Sequence, residues 1–290
     1  MTTAGPDWQV EGRDWPGRET SRFVDAGGLR WHVQVQGDGP VLLLLHGTGA
    51  ATHSWRDIAP RLAAHFTVVA PDLPGHGFSG ALARERTSLP GMAEAVSALM
   101  RALGLEPRFI AGHSAGAAIS AQLALAPGHG ARRLAWINPA LLPFDGWPGW
   151  LFAPLARWMA QRPLVARLAA WHAKDARAVR RLIAGTGSTL DERGVELYRR
   201  LVASPGHVAG ALAMMAGWDL APLLEALPRI DMPVLMLVGA GDLTVPPAQA
   251  DTVAARLPQA GLRRLPGLGH LAHEERPDEI AAALRHWFSD

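Results

Sequence analysis

The sequence predicts an α/β fold, in which helices flank a mostly parallel sheet on both faces and an inserted helical lid interrupts it. Three features of the 290-residue chain favour this class. Short apolar runs alternate with stretches of helical periodicity, which is typical of parallel sheets covered by helices. A Gly-x-Ser-x-Gly motif stands between one such run and a helical stretch. A purely helical segment then separates the earlier apolar runs from the last ones.

The strands are predicted from two kinds of pattern. Residues 21–25 and 28–35 indicate a hairpin, because the second run alternates apolar and polar side chains. Residues 41–45, Val-Leu-Leu-Leu-Leu, are continuously apolar and indicate a strand buried on both faces. Further strands are predicted at 66–70, 109–111, 134–138, 233–238 and 262–265.

Helical periodicity predicts most of the remaining chain. Core helices are expected at 55–64, 92–103, 117–126, 248–257 and 277–288. Between residues 144 and 217 the stretches are helical only, at 150–172, 175–184, 191–203 and 208–215. Such a block inserted between strands of one sheet is typical of a lid over an active site. We therefore expect a core at 1–141 and 219–290 and a lid at 142–218, with Trp8 and Trp15 anchoring a surface segment at the N-terminus.

The segment Gly112-His113-Ser114-Ala115-Gly116 predicts a tight turn from a strand into a helix, with Ser114 at its apex. Side chains at Gly112 and Gly116 would collide across such a turn, so glycine flanks the serine on both sides. The turn lifts the Ser114 hydroxyl into a cleft, and the following helix directs its positive N-terminus at it. The motif therefore predicts a nucleophilic serine.

A nucleophilic serine needs a base and an acid that orients the base. Asp242 stands in Gly-Ala-Gly-Asp and His270 in Gly-Leu-Gly-His, and each follows a predicted strand. The carboxyl ends of parallel strands share one edge of a sheet, so both residues are expected to converge on Ser114. Asp145 is an alternative acid, but the Gly-x-x-Asp context favours Asp242 over it.

The order Ser114, Asp242, His270 and the strand before each residue resemble the α/β-hydrolase family over about residues 21–290. The resemblance implies an α/β-hydrolase fold and a serine hydrolase that acts on an ester-like bond through a Ser-His-Asp triad. It also implies an oxyanion hole formed by the backbone N–H groups of Thr48 and Ala115. A serine rather than an aspartate nucleophile counts against haloalkane dehalogenases and epoxide hydrolases, which share the fold.

Several segments resemble more narrowly the accessory proteins of magnesium chelatase in bacteriochlorophyll biosynthesis. These segments are residues 15–16, 21–24, 26–34, 46–56, 71–78 and 112–118. The resemblance implies a photosynthetic pathway and a contact with magnesium chelatase, but not a reaction. Two alternatives therefore stay open: an accessory protein that binds a tetrapyrrole or the chelatase without hydrolysis, and a C–C bond hydrolase or lyase that uses the same triad.

Residues near the expected catalytic edge are candidates for lining a substrate pocket. The candidates are His46, Gly47, His113, Trp150 and Trp158. For His46, His53, His76 and His113 we favour a role in tying loops to backbone groups over a role in catalysis. The apolar segment 147–159 favours a large apolar or amphiphilic substrate.

Composition excludes several other function classes. The net charge is +2 and no basic run or nucleic-acid motif occurs, so no nucleic-acid partner is expected. The absence of cysteine excludes disulfides and thiolate chemistry. No apolar run reaches the roughly 18 residues of a transmembrane helix, and the first residues lack a signal peptide's apolar centre, so a cytoplasmic protein is expected. No spacing of histidines and carboxylates indicates a metal site, and no cofactor is expected.

Overall fold

The computed structural model describes residues 5–142, 163–172 and 175–289, which form one eight-stranded sheet flanked by helices. The strands are β1 (Ser21–Ala26), β2 (Leu29–Gln36), β3 (Val41–Leu45), β4 (Thr67–Pro71), β5 (Phe109–His113), β6 (Arg133–Ile137), β7 (Val234–Gly239) and β8 (Ala260–Leu265). Their order across the sheet is β1-β2-β4-β3-β5-β6-β7-β8. The pairs β1–β2 and β2–β4 are antiparallel, whereas every later pair is parallel. The predicted hairpin and the mostly parallel sheet are confirmed.

The helices follow the predicted alternation, although three short ones, at Trp8–Glu11, Ala221–Ala226 and Ala272–Glu275, were not predicted. The helices are α1 (Trp8–Glu11), α2 (Ala59–Leu62), α3 (Leu89–Ala102), α4 (Ala115–Ala124), α5 (Pro163–His172), α6 (Ala176–Ala184), α7 (Glu192–Val202), α8 (Pro205–Gly217), α9 (Ala221–Ala226), α10 (Gln249–Ala254), α11 (Ala272–Glu275) and α12 (Pro277–Ser289). The single helix predicted at 55–64 is wrong. A 3₁₀ turn at Thr52–Trp55 precedes the short α2, because Pro60 has no N–H to donate and fits only in a first helical turn.

Both faces of the sheet are covered, as the apolar run at 41–45 predicts. Leu43 and Leu45 of β3 pack in the core that includes α3 and α4. Leu42 and Leu44 face the opposite side, where they pack with Trp55, α2 and α12. All four leucines are fully buried. Each such burial contributes about 1.5–3 kcal/mol, so β3 anchors the centre of the sheet.

The helices between β6 and β7 pack on the edge of the sheet that carries Asp242 and His270. Val179 of α6 and Val195 of α7 form a cluster with Leu271, the neighbour of His270. Of the helix predicted at 150–172 only α5 is described, and Asp145, Trp150 and Trp158 lie outside the described residues.

The N-terminal segment runs over the surface and is anchored by its tryptophans, as the sequence predicts. Trp15 is 2% exposed and packs with Leu197 and Leu201 of α7. Its indole Nε1–H donates to the Thr52 hydroxyl at 2.9 Å. The segment is thus held between a loop of the core and an inserted helix, because the large apolar ring gains most when it is fully buried.

No single helix among the described residues has both the length and the apolar character of a membrane span. In the part of the chain that the structure describes, only α8 and the segment Ala221–Arg229 together meet such a criterion, on length and composition alone, and the two are bent by 61°.

Helix α4 approaches the end of β3 so closely that only glycine fits at the contact. A Cβ at Gly116 would lie 2.1 Å from the carbonyl oxygen of Leu45. We expect Gly116→Ala to lower the free energy of unfolding by about 3 kcal/mol or more, since backbone atoms must move to relieve the overlap. Urea denaturation measures the change.

Gly261→Ala is the matched control, because a Cβ there would meet its nearest atom at 3.6 Å, an ordinary contact. Equal stability of the Gly116 and Gly261 variants would contradict the close approach of α4 to β3.

Candidate active site

Ser114 lies at the turn between β5 and α4, as predicted, in a strained backbone conformation. Its φ is 51° and its ψ is −116°. Among the described residues only Ser114 and Asn138 have positive φ without being glycine. The Ser114 N–H donates to the carbonyl of Ile137 on β6 at 3.0 Å. Strain of this kind persists only where the surroundings fix the backbone, and it is concentrated at functional sites.

The glycines of the motif are required by contacts on both sides of the turn. A Cβ at Gly112 would lie 2.4 Å from the carbonyl oxygen of Gly116. The obstacle at Gly116 differs from the predicted one, because its Cβ would meet the end of β3 rather than Gly112. A Cβ at Gly47 would lie 3.0 Å from the Cβ of Ser114. The loop after β3 therefore lies directly against the serine.

The structure brings His270 and Asp242 together at the carboxyl edge of the sheet. His270 Nδ1 lies 2.7 Å from Asp242 Oδ2, and both side chains are buried. The other oxygen of Asp242 accepts backbone N–H groups of Thr244 at 2.7 Å and Val245 at 2.9 Å. Because an ionised carboxylate only accepts, His270 Nδ1 carries its proton and Nε2 is left as the acceptor.

Side chains from β5 and from the end of β6 hold the backbone of His270. His113 Nε2–H and Asn138 Nδ2–H both donate to the His270 carbonyl, at 2.9 and 2.7 Å. The rings of His113 and His270 lie 4.8 Å apart. Since His113 directly precedes Ser114, this packing places the His270 loop beside the turn.

The inserted segment before α7 also forms hydrogen bonds with the loops that carry Asp242 and His270. The carbonyl of Thr186 accepts the N–H groups of Leu243 and of His270, each at 3.2 Å. Ser188 Oγ accepts the N–H of Leu271 at 2.8 Å. The loops that carry Asp242 and His270 are therefore fixed by side chains at the ends of β5 and β6 and by the loop between α6 and α7.

The loop of Thr48, the predicted oxyanion-hole residue, is tied to α8. His207 Nε2–H donates to the carbonyl of Gly49 at 3.0 Å, and its Nδ1 accepts the N–H of Gly77 at 3.0 Å. The Thr48 hydroxyl contacts the sulfur of Met214, also on α8, at 3.6 Å. Sequence reasoning missed His207, since a lone histidine in an apolar helix gives no sign of the loops it joins.

Asp72 lies directly after β4 and fixes the loop that follows it. Its carboxylate lies 2.7 Å from His32 Nδ1 and accepts the N–H groups of Thr52 at 2.7 Å and Phe78 at 2.8 Å. Burial alone would raise the pKa of Asp72, but the attraction of His32 and the hydrogen bonds outweigh burial and hold it well below its usual range.

The predicted loop-tying role is confirmed for three of the four histidines near the site. His46 Nδ1–H donates to the Gly47 carbonyl at 2.8 Å, and its Nε2 accepts the N–H of Leu73 at 2.9 Å. His113 binds the His270 carbonyl as described, and His76 Nδ1–H donates to the Pro74 carbonyl at 3.1 Å. Burial lowers the pKa of His46, His76 and His113, so these rings stay neutral in the folded protein.

The prediction for His53 is wrong. Neither of its ring nitrogens has a hydrogen-bond partner, and the ring is fully buried. It packs edge-on against Trp15 and Tyr198, with centroids 5.4 and 4.6 Å away. Apolar packing therefore dominates at this position, and burial holds the pKa of His53 well below its ordinary value.

A second buried polar network lies next to His270 and has no signal in the sequence. The Glu274 carboxylate accepts the hydroxyls of Ser54 and Tyr198, each at 2.7 Å, and a guanidinium N–H of Arg56 at 2.5 Å. Burial raises the pKa of Glu274, although Arg56 and the hydrogen bonds oppose the shift. Tyr198 is on α7, so this network also joins the inserted helices to the core.

Three pocket candidates, His46, Gly47 and His113, lie around the turn of Ser114, whereas Trp150 and Trp158 are outside the described part of the chain. Within that part, no group of three or more histidine, aspartate or glutamate side chains is arranged to hold a metal ion.

Comparison with known proteins is consistent with this geometry. The family model described as alpha/beta hydrolase fold matches residues 40–277. The chain is 42% identical to the magnesium-chelatase 30 kDa subunit of Rhodobacter capsulatus over 94% of this chain and 96% of that protein. It is 30% identical to a fluoroacetate dehalogenase of a Burkholderia species over 93% of each. The crystal structure of an alpha/beta hydrolase fold protein from Burkholderia ambifaria superposes with a TM-score of 0.77, 27% identity and coverage of 91% of this chain and 97% of that one.

Low pH should weaken the hydrogen bonds by which His207 joins the loop of Gly49 to the loop of Gly77. Burial lowers the pKa of His207 to about 4, whereas in the unfolded chain it stays near 6.5. Between these values the unfolded state binds the proton more readily, so stability falls as pH decreases. Lowering the pH from 7.5 to 5 should therefore reduce the free energy of unfolding of the unmodified protein by about 2 kcal/mol more than it reduces that of His207→Gln.

Chemical denaturation at the two pH values measures this difference, with the exposed His65→Gln as the control for removal of a surface histidine. An equal pH dependence in the unmodified protein and in His207→Gln would show that His207 is not held neutral in the fold.

Proposed function

The chain belongs to the α/β-hydrolase fold family, and we propose that within it the protein is a serine hydrolase that acts on an ester-like bond. The observation that carries the proposal is the buried His270–Asp242 pair beside the strained turn of Ser114. In the proposed reaction His270 Nε2 takes the Ser114 proton as the Ser114 oxygen attacks the carbonyl carbon. The C–O bond to the leaving alcohol then breaks, and the alcohol receives that proton from His270.

Water completes the cycle in the second half of the reaction. His270 removes a proton from the water molecule, whose oxygen attacks the acyl-enzyme carbonyl. The bond to Ser114 breaks, the serine regains its proton, and the acid product leaves. Asp242 holds the imidazole in the Nδ1–H tautomer throughout and stabilises its positive form.

We assign the oxyanion hole to the backbone N–H groups of Thr48 and Ala115. Ala115 is the first residue of α4, where N–H groups point out of the helix and the helix dipole is positive. The loop that precedes Thr48 lies against Ser114, since a Cβ at Gly47 would come within 3.0 Å of the Ser114 Cβ. Two N–H donors of this kind stabilise the charge that develops on the carbonyl oxygen during attack.

The proposed biological role is accessory to bacteriochlorophyll biosynthesis, at the magnesium-chelation step. It is supported by 42% identity with a protein named as a magnesium-chelatase subunit, over nearly all of both chains. As part of the same proposal, the protein acts in the cytoplasm on a small apolar or amphiphilic molecule and contacts magnesium chelatase. The segment 142–218 is proposed as the lid that selects the substrate.

Two other functions make different demands on the site. A protein that only binds a tetrapyrrole or the chelatase has no use for a reactive serine, and this alternative is favoured by the chelatase name of the relative. A C–C bond hydrolase or lyase would use the same triad on another bond. Dehalogenation, the activity in the name of another relative, is disfavoured because Ser114 occupies the position of the aspartate nucleophile expected in that class.

Covalent labelling by a fluorophosphonate probe tests the proposal. We expect Ser114→Ala to lose labelling completely while its melting temperature stays close to that of the unmodified protein, since one hydroxyl is removed from a turn held by backbone contacts. Ser97→Ala on α3 is the control and should be labelled normally. Unchanged labelling of Ser114→Ala would refute the assignment of the nucleophile.

A series of p-nitrophenyl esters of increasing acyl length separates the alternatives. We expect Ser114-dependent turnover that increases with chain length if the substrate is apolar. No turnover of any ester, together with quenching of tryptophan fluorescence by a porphyrin, would favour the binding protein instead.

A further inference from the structure

We infer that Asn138 is a positioning residue that sets the base and acid loops relative to the nucleophile. The inference rests on the proposed serine hydrolase, and it concerns a residue that does not itself touch the reacting atoms. Asn138 is the only asparagine in the 290-residue sequence. It directly follows β6 and is 1% exposed.

The Asn138 side chain makes hydrogen bonds to two different loops. Its Nδ2 donates to the carbonyls of Gly269 at 2.8 Å and His270 at 2.7 Å. Its Oδ1 accepts the N–H of Gly239 at 2.7 Å. Gly239 ends β7 and lies three residues before Asp242, so one amide group joins the loop of the base to the loop of the acid.

The backbone around Asn138 extends the connection to the nucleophile. The Asn138 N–H donates to the carbonyl of Leu237 on β7 at 2.9 Å. The preceding residue, Ile137, accepts the N–H of Ser114. The strand that carries Asn138 therefore lies between the strand of the nucleophile and the strand of the acid, and the side chain reaches the base from this central position.

Two independent demands select asparagine here. The φ of Asn138 is 44°, in the left-handed region where asparagine is several-fold enriched over most residues. The three contacts require two N–H donors and one acceptor on a short side chain. Glycine would satisfy the backbone but not the contacts, and an ionised aspartate would offer no donor to the two carbonyls.

The hydrogen bonds act on the residue whose orientation matters most to the proposed chemistry. Two donors hold the carbonyl of His270, from Asn138 and from His113, and Asp242 holds the ring of His270. When Asn138 is lost, His113 still binds that carbonyl, so the loop is retained but its position is less restricted. A small displacement of a base from its nucleophile lowers the reaction rate strongly.

The test compares Asn138→Asp with Asn138→Gly. The first keeps the size and the acceptor for Gly239 but removes both donors, and the second removes the side chain without adding a charge. At a temperature where both variants are fully folded, we expect the second-order rate constant of fluorophosphonate labelling to fall at least tenfold in each. Gln34→Ala is the matched control, because the Gln34 amide is also buried but binds the Pro16 carbonyl and the Ser21 hydroxyl rather than the loops of Asp242 and His270. Its labelling rate should be unchanged.

Asparagine selectively labelled with ¹⁵N gives a direct readout, because a single side-chain amide signal is expected. In the intact protein we expect two well-separated NH₂ proton shifts, slow exchange with solvent, and a shift change when the probe reacts with Ser114. The inference would be overturned if either variant were labelled as fast as the unmodified protein, or if the amide signal did not change when the probe reacts. Neither result would contradict the proposed serine hydrolase. Labelling of the unmodified protein that does not depend on Ser114 would instead overturn both.

Discussion

The hydrogen bond between His270 Nδ1 and Asp242 Oδ2 is the interaction on which the rest of the site depends. Both groups are buried, so the pair forms only if the carboxylate has further donors to offset its lost hydration. Thr244 and Val245 supply these donors through their backbone N–H groups, which also prevent the carboxylate from rotating. The proposed chemistry follows from this restraint, because a fixed tautomer leaves Nε2 free to accept a proton.

The described part of the segment between β6 and β7 contributes to this arrangement. Thr186 and Ser188 hydrogen-bond to the loops of Asp242 and His270, and Tyr198 joins Glu274 next to His270. His207 fixes the loop after Thr48. The predicted lid thus includes groups that fix the edge of the sheet where Asp242 and His270 lie, so a change of its sequence would alter the position of their loops.

Local patterns were sufficient to predict the sheet, the turn of Ser114 and the convergence of the loops of Asp242 and His270, because strand periodicity and Gly-x-Ser-x-Gly are encoded over a few residues. The helix at 55–64 was wrong because Pro60 overrode its apolar periodicity. Pairings between distant residues could not be predicted. Asn138 meets His270 across 132 positions and Ser54 meets Glu274 across 220, and no local pattern marks either contact.

The most direct measurement of the central claim is the labelling rate of Asp242→Asn. An amide at this position can present its N–H to His270 Nδ1, which favours the wrong tautomer while the volume of the side chain is kept. If Asp242 orients the base, the second-order rate constant for fluorophosphonate labelling of Ser114 should fall by about 10³–10⁴ at nearly unchanged melting temperature. A rate within twofold of the unmodified protein would contradict the account, since the pair would then be structural only.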